Sequence, residues 1–211
     1  MIQKDSTDNI VAIASSTGGP RTLQRLIPLL PKGLNAPVLV VQHMPAGFTE
    51  ALARRLDQLS EVTVKEAQEG DILQKGHVYF ARGGRHMLVE RRARGHVIHY
   101  TDEPAREGVR PCANYMYESL ADSRFDLIVC AVLTGMGSDG TEGIKALSQK
   151  KKVLVLTQDE DSCIVYGMPG SIRKSGLASE EMSPEQIAQK IIKTVGVCED
   201  GCKSISGNLP G

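Results

Sequence analysis

Four short, nearly unbroken apolar runs set the strongest limit on how this chain can fold: Ile10 to Ala14, Val38 to Val41, Leu127 to Leu133 and Val153 to Thr157. They are short and mostly rich in β-branched residues, so each reads as a strand covered on both faces. After the first run, Leu23, Leu26, Ile27 and Leu30 fall at i, i+3, i+4 and i+7, one face of an amphipathic helix that Pro31-Lys32-Gly33 ends. Phe48, Leu52, Leu56 and Leu59 give a second helical stripe after the second run, and Val62 to Glu66 is a further candidate strand. Strand–helix units in succession imply a parallel sheet with right-handed crossovers.

The middle of the chain differs. Val78 to Ala81, Met87 to Arg91 and Val97 to Tyr100 read as short strands, with a turn at Arg92-Ala93-Arg94-Gly95, which predicts an antiparallel hairpin inserted into the α/β pattern. Pro111 can open a helix carrying Tyr115, Met116 and Leu120 inward, and Ile144 and Leu147 suggest a short helix before the Val153 run. Near the end, Ser183 can cap a helix, Pro184 suits its first position and Gln186 completes a capping box, with Ile187, Ile191 and Val195 facing inward. The fold class expected is therefore α/β, a doubly wound and mostly parallel sheet with helices on both faces and an antiparallel hairpin. Residues 10–197 form one domain in this reading. Residues 1–9 are a polar extension or linker remnant, and residues 198–211 a flexible tail.

Composition narrows the function. Lys plus Arg equals Asp plus Glu, 25 each among 211 residues, so the basic excess typical of a nucleic-acid binder is absent and no nucleic-acid partner is expected. Arg91, Arg92 and Arg94, followed by His96 and His99, read as a solvated hairpin tip. Five cysteines without a regular framework argue against a secreted disulfide scaffold. Cys130 reads as a small core residue, and Cys198 with Cys202 lacks further convergent ligands for a metal, although a disulfide there stays open. No stretch has the length and apolarity of a membrane span, and the N-terminus carries no signal-peptide apolar region, so no membrane insertion and a cytoplasmic location are expected.

Ligands in an open parallel sheet bind at the carboxyl ends of its strands. Here one strand ends at Ser16 and another at His43, and the Leu127 run enters a glycine-rich loop holding Asp139. Serine, histidine and aspartate are the parts of a nucleophile, its base and an orienting carboxylate. Gly18 and Gly19 let the chain turn tightly into a helix, whose free N–H groups near Ser16 suit an anionic oxygen; Gly135 and Gly137 let loop N–H groups approach a reacting carbonyl. Each piece also has a plain reading: Ser-Thr-Gly-Gly-Pro as a cap and turn, His43 as a hydrogen-bonded strand-end histidine, the Asp139 loop as a phosphate-binding turn. Ala14 departs from the G-x-S-x-G elbow. No P-loop lysine supports a nucleotide site.

The longer blocks resemble a known family. They are Ile13-Ala14-Ser15-Ser16-Thr17-Gly18-Gly19-Pro20, Val41-Gln42-His43-Met44-Pro45-Ala46-Gly47-Phe48-Thr49, Gly83-Gly84-Arg85-His86-Met87, Leu133-Thr134-Gly135-Met136-Gly137-Ser138-Asp139-Gly140 and Ser162-Cys163-Ile164-Val165-Tyr166-Gly167-Met168-Pro169. In this order they resemble the catalytic domain of the CheB family, the chemotaxis protein-glutamate methylesterases. The resemblance implies a Ser16, His43, Asp139 triad with an oxyanion contribution from the Met136 backbone; the N–H of Thr17, next to the serine, is the second expected donor. It further implies a cofactor-free, metal-free hydrolysis of glutamate γ-methyl esters on methyl-accepting chemotaxis receptors, releasing methanol, with deamidation of receptor glutamines as a related activity. Most members carry a phosphorylatable receiver domain before the esterase, so such a domain is a possible partner in a longer or separate chain. Ser15 stands where the family commonly has a small non-nucleophilic residue, and Cys112 and Asn114 depart from a stretch usually reading Arg-Pro-Ser-x-Asp, which bears on contacts toward the substrate. The alternative is a non-catalytic module on the same fold that docks to a receptor or other partner.

Overall fold

The computed structural model describes residues 8–198. The polar extension through Thr7 and the tail from Glu199, including Cys202, lie outside the described residues. Seven strands form one parallel sheet: β1 Asn9–Ser15, β2 Val38–Gln42, β3 Thr63–Glu66, β4 His77–Phe80, β7 Leu127–Val132, β8 Val153–Gln158 and β9 Glu180–Met182. Their spatial order is β3-β4-β2-β1-β7-β8-β9. The remaining two, β5 His86–Arg92 and β6 Gly95–Thr101, make a separate antiparallel hairpin with the tip where the sequence placed it. Val78 to Ala81 does not join that hairpin: β4 enters the main sheet between β3 and β2.

Among the described residues, six α-helices cover the sheet: α1 Gly19–Leu26, α2 Phe48–Asp57, α3 Ala113–Ser119, α4 Thr141–Ser148, α5 Met168–Lys174 and α6 Pro184–Val195. The central strands alternate between two cores. Val11, Ile13, Val38 and Val40 pack with Leu23, Leu52, Leu56, Ile187 and Ile191 of α1, α2 and α6. Ile10, Ala12, Leu39 and Val41 pack on the other face with Met116, Tyr117, Ile144 and Ile172 of α3, α4 and α5, and with Met87 and Ile98 of the hairpin. Both faces of each central strand are buried, which is why those strands read as unbroken apolar runs rather than alternating ones.

Two helices bury a face that differs from the expected stripe. In α2 the buried face is Thr49, Leu52, Ala53 and Leu56, whereas Phe48 and Leu59 of the expected stripe are exposed, at 61% and 43%. In α3, Met116 and Tyr117 point inward and Tyr115 is only partly covered. The expected capping box of α6 forms, with Ser183 accepting from Gln186 N–H and Gln186 reaching back to Ser183 N–H. At the hairpin, the three arginines are exposed, but His96 is half-buried: it stacks on Phe125 at 4.2 Å and accepts from Arg124 N–H. Cys130 is fully buried in β7.

β1 is the hinge of the topology. The chain first adds β2 on one side of it and later adds β7 on the other, so the connections leaving the carboxyl ends of β1 and β7 diverge to opposite faces. The crevice between them is the switch point at which doubly wound sheets bind ligands. Ser16 leaves β1 into it, and Thr134 and Gly135 leave β7 beside it.

Candidate active site

Ser16 directly follows the last residue of β1 and is fixed by its backbone: its N–H donates to Thr134 O at 3.0 Å, and its carbonyl accepts from Gly19 N–H at 2.8 Å and Gln42 Nε2 at 3.0 Å. The side chain is half-exposed. Gly18, with φ of 83°, makes the left-handed turn into α1, and a Cβ there would sit 2.6 Å from the Ile164 side chain. Ser15, the rival hydroxyl, is fully buried and donates to Gln42 Oε1 at 2.7 Å. It is tied into the sheet and cannot meet a substrate from that position.

His43 directly follows β2, and its N–H donates to Ser15 O at 3.0 Å. Its Nε2 lies 2.7 Å from Asp139 Oδ2. Asp139 is 3% exposed and receives three more donors: Ala113 N–H on Oδ2 at 2.6 Å, and Asn114 N–H at 2.9 Å and the Cys112 thiol at 3.0 Å on Oδ1. Burial pushes the carboxyl up, but the bonds from His43, Cys112 and Ala113 N–H outweigh it, and the net result lies below the usual aspartate range. An ionised carboxylate only accepts, so Nε2 of His43 carries the ring proton and Nδ1 is left as the basic nitrogen. Beside His43 a shallow cavity of about 270 Å³ is lined by Met44, Pro45, Val109 and Arg110.

The loop after β7 closes the crevice. Gly135 N–H donates to Val165 O, and Gly135 O accepts from Gly167 and Met168 N–H, so residues 165–168 wrap around Gly135. Thr134 Oγ1 accepts from Ile164 N–H at 3.1 Å and Val165 N–H at 2.9 Å, and lies 3.0 Å from Thr17 O. Among the described residues, the N–H groups of Thr17 and Met136 have no hydrogen-bond acceptor. Met136 itself is 70% exposed. Gly135 is forced by space: a Cβ would fall 2.4 Å from Met168 Sδ and 2.7 Å from Ser16 Cβ. Gly135→Ala should displace Ser16 by a few tenths of an ångström, lowering turnover about 10- to 100-fold for a stability loss of about 1–3 kcal/mol, as read by steady-state kinetics beside urea unfolding.

A family model described as CheB methylesterase matches residues 11–191. The chain belongs to the CheB methylesterase family. It is 45% identical over 183 residues to the protein-glutamate methylesterase/protein-glutamine glutaminase of Bacillus licheniformis, covering 87% of this chain and 51% of that protein. The corresponding Bacillus subtilis protein is 46% identical over 188 residues, 88% of this chain and 52% of the other. The chain thus spans about half the length of the curated relatives it matches. The crystal structure of the Thermotoga maritima CheB methylesterase catalytic domain superposes with a TM-score of 0.86 at 38% identity, covering 90% of this chain and all of that one. The doubly wound fold with its hairpin is that of the CheB catalytic domain.

Within this CheB fold, the two departures noted in the sequence face inward. Cys112 and Asn114 are both fully buried, so neither forms a surface toward a substrate. Asn114 Oδ1 accepts from Gly140 N–H at 3.1 Å and Gly143 N–H at 2.7 Å, capping α4 from a neighbouring helix, while its Nδ2 donates to Glu107 at 2.7 Å. Only an acceptor is needed for that cap, which an amide supplies as well as a carboxylate. As a nucleophile Cys112 is disfavoured: burial and the adjacent Asp139 charge push its thiol up to about 12. Gln42, Thr134 and His86 shape the site with no role expected of them from the sequence, and Cys112 shapes it from the interior rather than from the substrate side. Gln42 and Thr134 were visible only as members of the longer blocks, because each acts through partners distant in the chain.

Proposed function

We propose that the chain is a serine hydrolase that removes methyl groups from glutamate γ-methyl esters of chemotaxis receptors, with Ser16, His43 and Asp139 as its triad. The observation that carries this reading is the 2.7 Å bond between His43 Nε2 and a buried, ionised Asp139, at the strand ends where Ser16 also emerges. Family membership and the printed names of the relatives support the substrate class.

The chemistry follows from the tautomer. His43 Nδ1 takes the proton of Ser16 as its Oγ attacks the ester carbonyl, and Asp139 favours the imidazolium that forms. The tetrahedral oxyanion meets the unpaired N–H groups of Thr17 and Met136. Collapse breaks the C–O bond to the methoxy group; His43 returns the proton and methanol leaves. A water, deprotonated by His43, then attacks the seryl ester and restores Ser16 and a free glutamate. Glutamine deamidation runs through the same acyl-enzyme with ammonia as the leaving group.

No helix among the described residues is long and apolar enough to cross a membrane. We place the chain in the cytoplasm, acting on the receptors' cytoplasmic segments, with a receiver domain as a partner in a longer or separate chain. The test is methanol release from a helical peptide carrying a glutamate γ-methyl ester. Release that saturates with peptide supports the reading; tight peptide binding without release would instead favour a docking module.

A further inference from the structure

Behind the three site residues lies a second row of buried groups. His86, at the start of β5, is fully buried, and burial pushes its imidazole down, so it is neutral near pH 7. Its Nε2 lies 3.2 Å from Pro104 O, an acceptor, so that nitrogen carries the proton. Its Nδ1 then accepts from Cys112 N–H at 3.1 Å. Cys112 thereby enters α3 in extended conformation, with φ of −119° and ψ of 131°, and its thiol is aimed at Asp139 Oδ1.

The donors divide between the two carboxylate oxygens. Oδ1 holds the thiol and Asn114 N–H, and Oδ2 holds Ala113 N–H and His43. A carboxylate has about four lone-pair sites, so this one is saturated and its rotation is fixed. We infer that Cys112, held by His86, is a positioning residue: its thiol locks Asp139 so that Oδ2 faces His43 Nε2. The inference rests on the esterase reading for its effect on turnover, but not for its effect on the His43–Asp139 bond.

The groups facing Asp139 are His43 from the end of β2, Cys112 at the N-cap of α3, Tyr117 within α3, and His86 from β5; Glu107 reaches it through Asn114 and Ser138. With one donor removed, the carboxylate accepts more strongly from His43 and favours its imidazolium. The acid limb of kcat/KM, which reports the free enzyme's base, then moves to higher pH.

Four variants test this. Cys112→Ala should lower kcat about tenfold with little change in KM, and raise the acid limb by about half a pH unit, the scale of one lost hydrogen bond. Cys112→Val, which refills the volume without a donor, should do the same if the alanine form folds poorly. Cys112→Ser, which keeps a donor, should stay near the parent. Cys130→Ala removes an equally buried thiol away from Asp139 and should move neither quantity. The low-field proton NMR signal of His43 Nε2–H provides a readout without turnover: it should shift in the Ala and Val forms at position 112 and hold in the other two. The inference is overturned if that signal and the acid limb in the Cys112→Ala and Cys112→Val forms match Cys130→Ala, or if serine fails to restore them. Failure of the parent protein to release methanol would sink the esterase reading alone, because the proton signal still decides the positioning.

Discussion

Ser16→Ala is expected to lower ester hydrolysis by about 10⁴- to 10⁶-fold, the usual cost of removing the nucleophile of a triad. Stability should change by less than about 0.5 kcal/mol, because the Ser16 hydroxyl is half-exposed and makes no hydrogen bond among the described residues. The neighbouring substitution should invert that pattern. Ser15→Ala removes the buried bond to Gln42 Oε1. The unsatisfied acceptor should cost about 1–3 kcal/mol of stability while leaving the chemistry within about tenfold of the parent, since Gln42 still holds Ser16 O and His43 O through Nε2. Methanol release and urea unfolding on both variants check the pair together. Equal losses of activity in the two would contradict the choice between the hydroxyls.

Asp139→Asn should lose about 10³- to 10⁴-fold in kcat, because an amide cannot fix the His43 tautomer and no longer favours the imidazolium. Unlike Ser16→Ala, it should also destabilise the fold. Both oxygens of Asp139 accept two donors, so an NH₂ group at either position meets N–H or S–H groups with nothing to accept them. About 2–4 kcal/mol is the expected loss for a buried, hydrogen-bonded charge replaced in this way. The sign of the pH dependence follows. The folded-state pKa of Asp139 is depressed, so its stabilisation is present above the unfolded value of about 3.9 and is lost as pH falls through the lower folded value. The parent should therefore lose stability in acid below about pH 4 more steeply than the asparagine form, as read by thermal scans across pH 2–6.

How legible this was in the sequence depended on burial and on range. The central strands were readable because both of their faces are covered, which leaves continuous apolar runs such as Leu127 to Leu133. β9 was not, because an edge strand reading Glu180-Glu181-Met182 has neither an apolar run nor a useful alternation. α5 spans only Met168–Lys174 and carries Pro169 in its first turn, too short for a periodic stripe. Periodicity also says nothing of which sheet a strand joins, so β4 was grouped with the hairpin that follows it. In α2 the apolar residues Phe48 and Leu59 suggested a stripe one residue away from the face that Thr49 and Ala53 bury.

Around the candidate site, strand ends and glycines pointed to Ser16, His43 and Asp139, and the resemblance selected Ser16 over Ser15. The physical reason for that selection, a buried Ser15 bonded to Gln42, needs partners 27 residues apart in the chain. Cys112 and Asn114 looked like differences on a substrate-facing surface. They are instead interior groups whose partners, Asp139 and the start of α4, lie more than 20 residues away. No local pattern carries that information.

The central claim is that Ser16 is the hydroxyl that attacks. It is tested most directly by treating the protein with a fluorophosphonate, which forms a stable adduct only with a serine activated by a neighbouring base. Intact mass followed by peptide mapping should show a single adduct on Ser16, absent in Ser16→Ala and strongly slowed in His43→Ala. An adduct on Ser15, or labelling of Ser16 at an unchanged rate without His43, would contradict the account.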